Sequence, residues 1–110
     1  MSELIHLEYD IDGLQDLIDT EEYLVVIFTA PEWCAPCRAY KPHYEKVAAE
    51  SDWMLTWVAY DLHYEADAQI KFNFMSVPTT VVFHKGNEIH RFAGARNALP
   101  LINELTIFKG

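Results

Sequence analysis

The fold is decided by one stretch: Tyr23-Leu24-Val25-Val26-Ile27-Phe28-Thr29, then Ala30-Pro31-Glu32, then Trp33-Cys34-Ala35-Pro36-Cys37. The first seven residues are apolar and β-branched almost without alternation, the pattern of a strand covered on both faces. Ala30-Pro31-Glu32 reads as a loop. Beyond the loop, Arg38 to Glu50 has helical spacing, with Tyr40, Tyr44, Val47 and Ala48 on one face. Pro42 inside that helix removes a backbone hydrogen bond and predicts a kink. The two cysteines therefore stand where a buried strand gives way to the start of a helix. A helix N-terminus carries partial positive charge and unpaired N–H groups, so it favours a thiolate over a thiol. The spacing of the pair lets the second sulfur attack a mixed disulfide formed by the first. These residues imply redox chemistry between sulfurs.

Working outward, the remaining elements alternate. Leu4-Ile5-His6-Leu7 reads as a first strand. Asp10 or Asp12 can cap a helix carrying Ile11, Leu14, Leu17 and Ile18. Met54 to Tyr60 reads as a second buried strand, and Glu65 to Phe72 as a short helix ended by a left-handed Asn73. Thr79 to His84 and Glu88 to Phe92 form a hairpin about Lys85-Gly86-Asn87, and Gly94 interrupts its end. Asn97 can cap a last helix with Leu101, Ile102, Leu105 and Phe108, and Pro100 is tolerated in its first turn. The order β-α-β-α-β-α-β-β-α predicts an α/β domain, a mixed five-stranded sheet with helices on both faces. At 110 residues, one domain spanning 1–110 is expected.

Composition narrows the functions. The net charge is −9, and nine acidic residues precede Cys37 with no Lys or Arg among them. Such a surface disfavours nucleic-acid phosphate and offers no polybasic patch to anionic lipid. No apolar run approaches membrane-spanning length, and the first residues lack the features of a signal peptide. The expected setting is cytoplasmic, where a cysteine pair is more often catalytic or metal-binding than structural. A zinc site normally wants four ligands. There are only two cysteines, and His6, His43, His63, His84 and His90 are scattered without ligand spacing, so no metal is expected. Trp53, Trp57, Tyr60, Phe72 and Phe74 read as packing residues. The N-terminal carboxylates read as a solvated face.

The whole chain resembles the thioredoxin family. Trp33-Cys34-Ala35-Pro36-Cys37 is similar to that family's Trp-Cys-Gly-Pro-Cys, Pro42 to its helix-bending proline, Val77-Pro78-Thr79 to its cis-proline segment, and Gly94 to its glycine beside the site. The resemblance implies that Cys34 is the exposed nucleophile and Cys37 the buried resolving thiol. It implies that Trp33 shields the pair, that Ala35 and Pro36 shape the turn between the sulfurs, and that Pro78 lies against the disulfide through a cis bond. Met75, Val77, Ala93 and Gly94 would complete an apolar groove for an extended substrate. The implied partners are disulfide-containing protein substrates and a thioredoxin-reductase-like electron donor, with no cofactor and a monomeric protein.

Three departures from the family pattern stand out. Ile27 sits where the family has a buried Asp, and Ala59 where it has a buried Lys; losing both avoids burying one charge alone. Pro31 adds a residue before Trp33, and Ala35 replaces a glycine. The proton of Cys37 is then expected to leave through water or the partner. Besides a reductase, two alternatives remain at this point. One is a binding module in which the redox pair is incidental. The other is a disulfide oxidant or isomerase.

Overall fold

The computed structural model describes residues 4–51 and 55–106, so Trp53, Met54 and Phe108 lie outside the described residues. The elements are β1 (Leu4–Glu8), α1 (Ile11–Thr20), β2 (Tyr23–Thr29), α2 (Ala35–Glu50), β3 (Leu55–Asp61), α3 (Asp67–Phe72), β4 (Thr79–His84), β5 (Asn87–Ala93) and α4 (Ala98–Thr106). They form one five-stranded sheet in the order β1-β3-β2-β4-β5. β1 and β2 pair parallel with β3, whereas β4 is antiparallel to both β2 and β5.

The central place of β2 explains its continuous apolar run. Val25 and Ile27 enter the core beneath α2 and α4, with Tyr40, Tyr44, Trp57 and Leu101. Leu24, Val26 and Phe28 enter the opposite core, with Leu14 and Ile18 of α1 and Ala68 of α3. Alternate residues thus serve two cores.

Local signals set most boundaries. Asp10 is the cap of α1, its Oδ1 accepting the Gly13 N–H at 2.9 Å. Asn73 adopts the left-handed conformation (φ 55°) that ends α3. Lys85 and Gly86 both have positive φ, the twist that a two-residue hairpin requires. α2 continues through Pro42, which has no N–H to offer the preceding turn. One expectation shifts. α3 begins at Asp67 rather than Glu65, because the Glu65 N–H is used in a turn to the Leu62 carbonyl at 2.9 Å. α4 begins at Ala98, directly after Asn97 as expected, with the Leu101 N–H donating to the Asn97 carbonyl at 3.0 Å; the Ala98 N–H donates to His43 Nδ1 of α2 at 3.1 Å. A histidine from a neighbouring helix thus takes one of the donors that a local cap would otherwise take.

Candidate active site

The site forms where β2 ends. Trp33 and Cys34 both donate their N–H groups back to the Ala30 carbonyl, at 3.2 and 3.0 Å, folding the loop into a tight turn. Arg38 fastens the loop from the helix side, its Nη1 donating to the Pro31 carbonyl at 2.8 Å. Cys34 is the N-cap of α2, and its Sγ accepts the Cys37 N–H at 3.2 Å. An N–H aimed at that sulfur from the positive end of a helix stabilises negative charge on it. Cys34 and Cys37 are joined as a disulfide with a Cα–Cα separation of 5.2 Å. Cys34 retains 7% exposure and Cys37 none. The two sulfurs therefore differ in access.

A second segment closes over the pair. The Val77–Pro78 peptide is cis. The Val77 carbonyl oxygen lies 3.6 Å from Cys34 Sγ, and the Val77 side chain packs against the pocket of Ala30, Cys34 and Cys37. The Pro78 carbonyl accepts the Gly94 N–H at 2.8 Å, and Thr79 is the register partner of Ala93. Val77 thus lies against Cys34, and the backbone ties Ala93 and Gly94 to the Pro78–Thr79 segment that follows it. Gly94 has φ 87°, a conformation that an L side chain adopts only under strain. Ala35 and Pro36 are exposed in the first turn of α2. Met75 is 90% exposed and Trp33 48% exposed. They share the rim of a cavity of about 210 Å³ with Leu62, Tyr64, Phe74 and Val77.

The two sheet positions that depart from the family pattern are apolar. Ile27 and Ala59 are register partners on adjacent strands, and both are buried. Thr80 stands opposite Ile27 on the other side, and its Oγ1 is 2.9 Å from the Tyr40 hydroxyl. Burial pushes the Tyr40 phenol well above its ordinary range, only partly offset by the Thr80 hydrogen bond, so this hydroxyl is no base at neutral pH. A cavity of about 280 Å³ opens beside Ala59, lined by His6, Glu8, Thr29, Lys41 and Asp61 among others.

The structure adds a cluster that the sequence did not reveal. His63, in the loop after β3, pairs through Nε2 with Glu8 at the end of β1. Its Nδ1 is 3.6 Å from Glu32 Oε1, its Nε2 is 3.6 Å from Asp61 Oδ2, and Tyr9 stacks on its ring. Its backbone carbonyl accepts the Trp33 indole N–H. Glu8 is thus partnered rather than part of a simple solvated face, and His63 is more than a surface residue. These groups lie up to 55 positions apart, and only β1–β3 pairing brings them together. Among the described residues, polar side-chain atoms of Glu8, Asp61 and His63 converge within 4.8 Å of one another, a closeness that exposed acidic groups commonly show without any ion. No helix among the described residues is long and apolar enough to cross a membrane.

A parallel-plus-hairpin sheet with an accessible N-cap sulfur bonded to a buried neighbour defines a thiol–disulfide oxidoreductase. The Thioredoxin family model matches residues 9–106, and the chain belongs to the thioredoxin family. It is 30% identical over 91 residues to the thioredoxin of Mycobacterium tuberculosis, covering 83% of this chain and 78% of that protein. It is 28% identical over 97 residues to the bifunctional thioredoxin reductase/thioredoxin of Mycobacterium leprae, covering 88% of this chain but only 21% of that longer protein. The fold is that of the Malassezia sympodialis thioredoxin crystal structure, with a TM-score of 0.84 at 20% identity, covering 100% of this chain and 94% of the other.

Proposed function

We propose that the chain reduces disulfides in protein substrates, with Cys34 as nucleophile and Cys37 as resolving thiol. The carrying observation is the Cys34 Sγ at the α2 N-cap, accepting the Cys37 N–H while Cys37 itself is buried. In the dithiol form, the Cys34 thiolate attacks one sulfur of a substrate disulfide. That S–S bond breaks, the far sulfur departs as a thiolate, and a mixed disulfide joins Cys34 to the substrate. Cys37 then attacks Cys34 Sγ, the second substrate sulfur leaves, and the Cys34–Cys37 bond forms. Two electrons have passed to the substrate. A thioredoxin-reductase-like donor returns them; the Mycobacterium leprae relative joins both names in one polypeptide, which supports that partner.

Trp33, Met75, Val77, Pro78, Ala93 and Gly94 are the proposed substrate-facing groove, with Ala35 and Pro36 setting the turn between the sulfurs. Exposed Trp33 and Met75 support this reading, both lining a cavity of about 210 Å³ with Val77. With Ile27 and Ala59 beneath the pair, the Cys37 proton passes to water or to the departing substrate thiolate. A monomer working in the reducing cytoplasm is the setting in which this direction of exchange is useful.

Cys37→Ser tests the roles. With Cys34 as nucleophile, the variant is expected to accumulate a mixed disulfide with a protein substrate, read as the summed mass of the two chains and reversed by added dithiol. Accumulation instead in Cys34→Ser would reverse the assignment.

A further inference from the structure

We propose that His63 is a positioning residue: its doubly protonated ring, gripped by Glu8, Asp61 and Glu32, holds in place the loop whose carbonyl anchors Trp33 beside the cysteine pair. The inference rests on the redox reading of that pair, and it concerns how the Trp33 wall is kept in position.

Two ties run from this one residue to the active-site loop. The Nδ1 faces the Glu32 carboxylate at 3.6 Å, and the carbonyl accepts the indole N–H of Trp33, the next residue along. The other ring nitrogen ties the loop to the sheet, pairing with Glu8 of β1 and facing Asp61 of β3 at 3.6 Å. The Asp61 carboxylate also accepts the His63 backbone N–H at 2.9 Å. With a proton on each nitrogen, every one of these contacts joins a donor to a carboxylate. Loss of one proton leaves a lone pair facing a carboxylate on one side. If Nε2 keeps its hydrogen for Glu8, the bare Nδ1 confronts Glu32, and the tie to the active-site loop is the one released.

The surroundings favour the charged ring. Glu8 raises the His63 pKa most, by its hydrogen bond; desolvation opposes it as the next influence, and the lesser contributions of Asp61 and Glu32 again raise it. Tyr9 lies over the ring. His6, Lys41 and Tyr44 line the cavity shared with Glu8 and Asp61, so Lys41 is a cation on that side of the cluster. A non-titrating pillar stands beside the loop. Tyr60 accepts the Asp10 N–H at 3.0 Å and donates to Glu65 at 2.9 Å, and burial pushes its phenol up to about 12. Because the folded pKa of His63 is raised, its grip is complete below the ordinary value of 6.5 and is lost as pH rises through the higher folded value.

The test follows the Trp33 indole N–H by NMR in the oxidised protein, assigned with Trp33→Phe, between roughly pH 5.5 and 8.5. In the disulfide form neither cysteine titrates, so the result does not depend on the direction of exchange. The wild-type resonance is expected to titrate with a midpoint above 6.5. His63→Gln is expected to abolish that titration, Glu8→Gln to lower its midpoint, and Glu32→Gln, which leaves the Glu8 pair intact, to shrink its amplitude. A wild-type resonance that stays flat over this range, or one that titrates unchanged in His63→Gln, would overturn the proposal. Circular dichroism on each variant separates these outcomes from unfolding.

Discussion

Cys34→Ser is expected to reduce the rate of protein-disulfide reduction on the order of 10³-fold or more, to the uncatalysed background, while leaving the fold in place. The expectation follows from the unequal positions of the two sulfurs. Cys34 alone keeps a solvent-facing path, and its Sγ receives the Cys37 N–H at the start of α2. A serine hydroxyl at that N-cap can accept the same N–H, so α2 keeps its cap and stability changes little. It cannot form the mixed disulfide. Turnover of a small protein disulfide, followed by reductant consumption, checks the loss. Retention of substantial turnover would show that the accessible sulfur is not the nucleophile. Partner binding is expected to survive, because the groove walls at Trp33, Val77 and Gly94 are untouched.

Trp57→Ala carries the second large effect, a loss of about 3–5 kcal/mol of stability. Trp57 is fully buried in the middle of β3, register partner of Leu4 on one side and Val25 on the other. It packs in the core that α2 and α4 cover. Its indole Nε1 has no hydrogen-bond partner among the described residues. Truncation therefore forfeits apolar contact and leaves a cavity without breaking a hydrogen bond. The midpoint of thermal unfolding is expected to fall by more than about 10 °C. Trp57→Phe, which keeps a ring in the same space, is expected to fall by much less. A fall equally small for alanine would mean that β3 is not the strand between β1 and β2.

The sequence made the architecture readable because the strongest signals are local. A short apolar, β-branched run without alternation suggests a strand covered on both faces, and β2 is that strand. A cysteine pair at its end, followed by helical spacing, placed the sulfurs at the α2 N-terminus. Val77, Pro78 and Gly94 entered through the family resemblance; Val77 lies against Cys34, and Gly94 is hydrogen-bonded to Pro78. The start of α3 was less readable, because Ala66 offers no side-chain cap and a backbone turn from Leu62 intervenes. The start of α4 was readable from Asn97, but the acceptor for the Ala98 N–H was not, because His43 sits on α2. The His63 cluster lies furthest from sequence reasoning. Glu8, Glu32, Asp61 and His63 show no common spacing, and only the parallel pairing of β1 and β2 with β3 brings their strand ends to one corner.

Ile27 and Ala59 give the redox account its sharpest exposure. The pair is buried, adjacent and uncharged, so reducing power has to come from the N-cap geometry and the unequal access of the sulfurs, with no buried ion beneath them. The most direct test is the midpoint potential of the Cys34–Cys37 couple, measured by thiol trapping across defined redox buffers. A reductase is expected to lie below the cytosolic glutathione pool, more negative than about −260 mV on the biochemical scale. A value near about −180 mV or higher, or a pair that fails to cycle reversibly, would contradict the account.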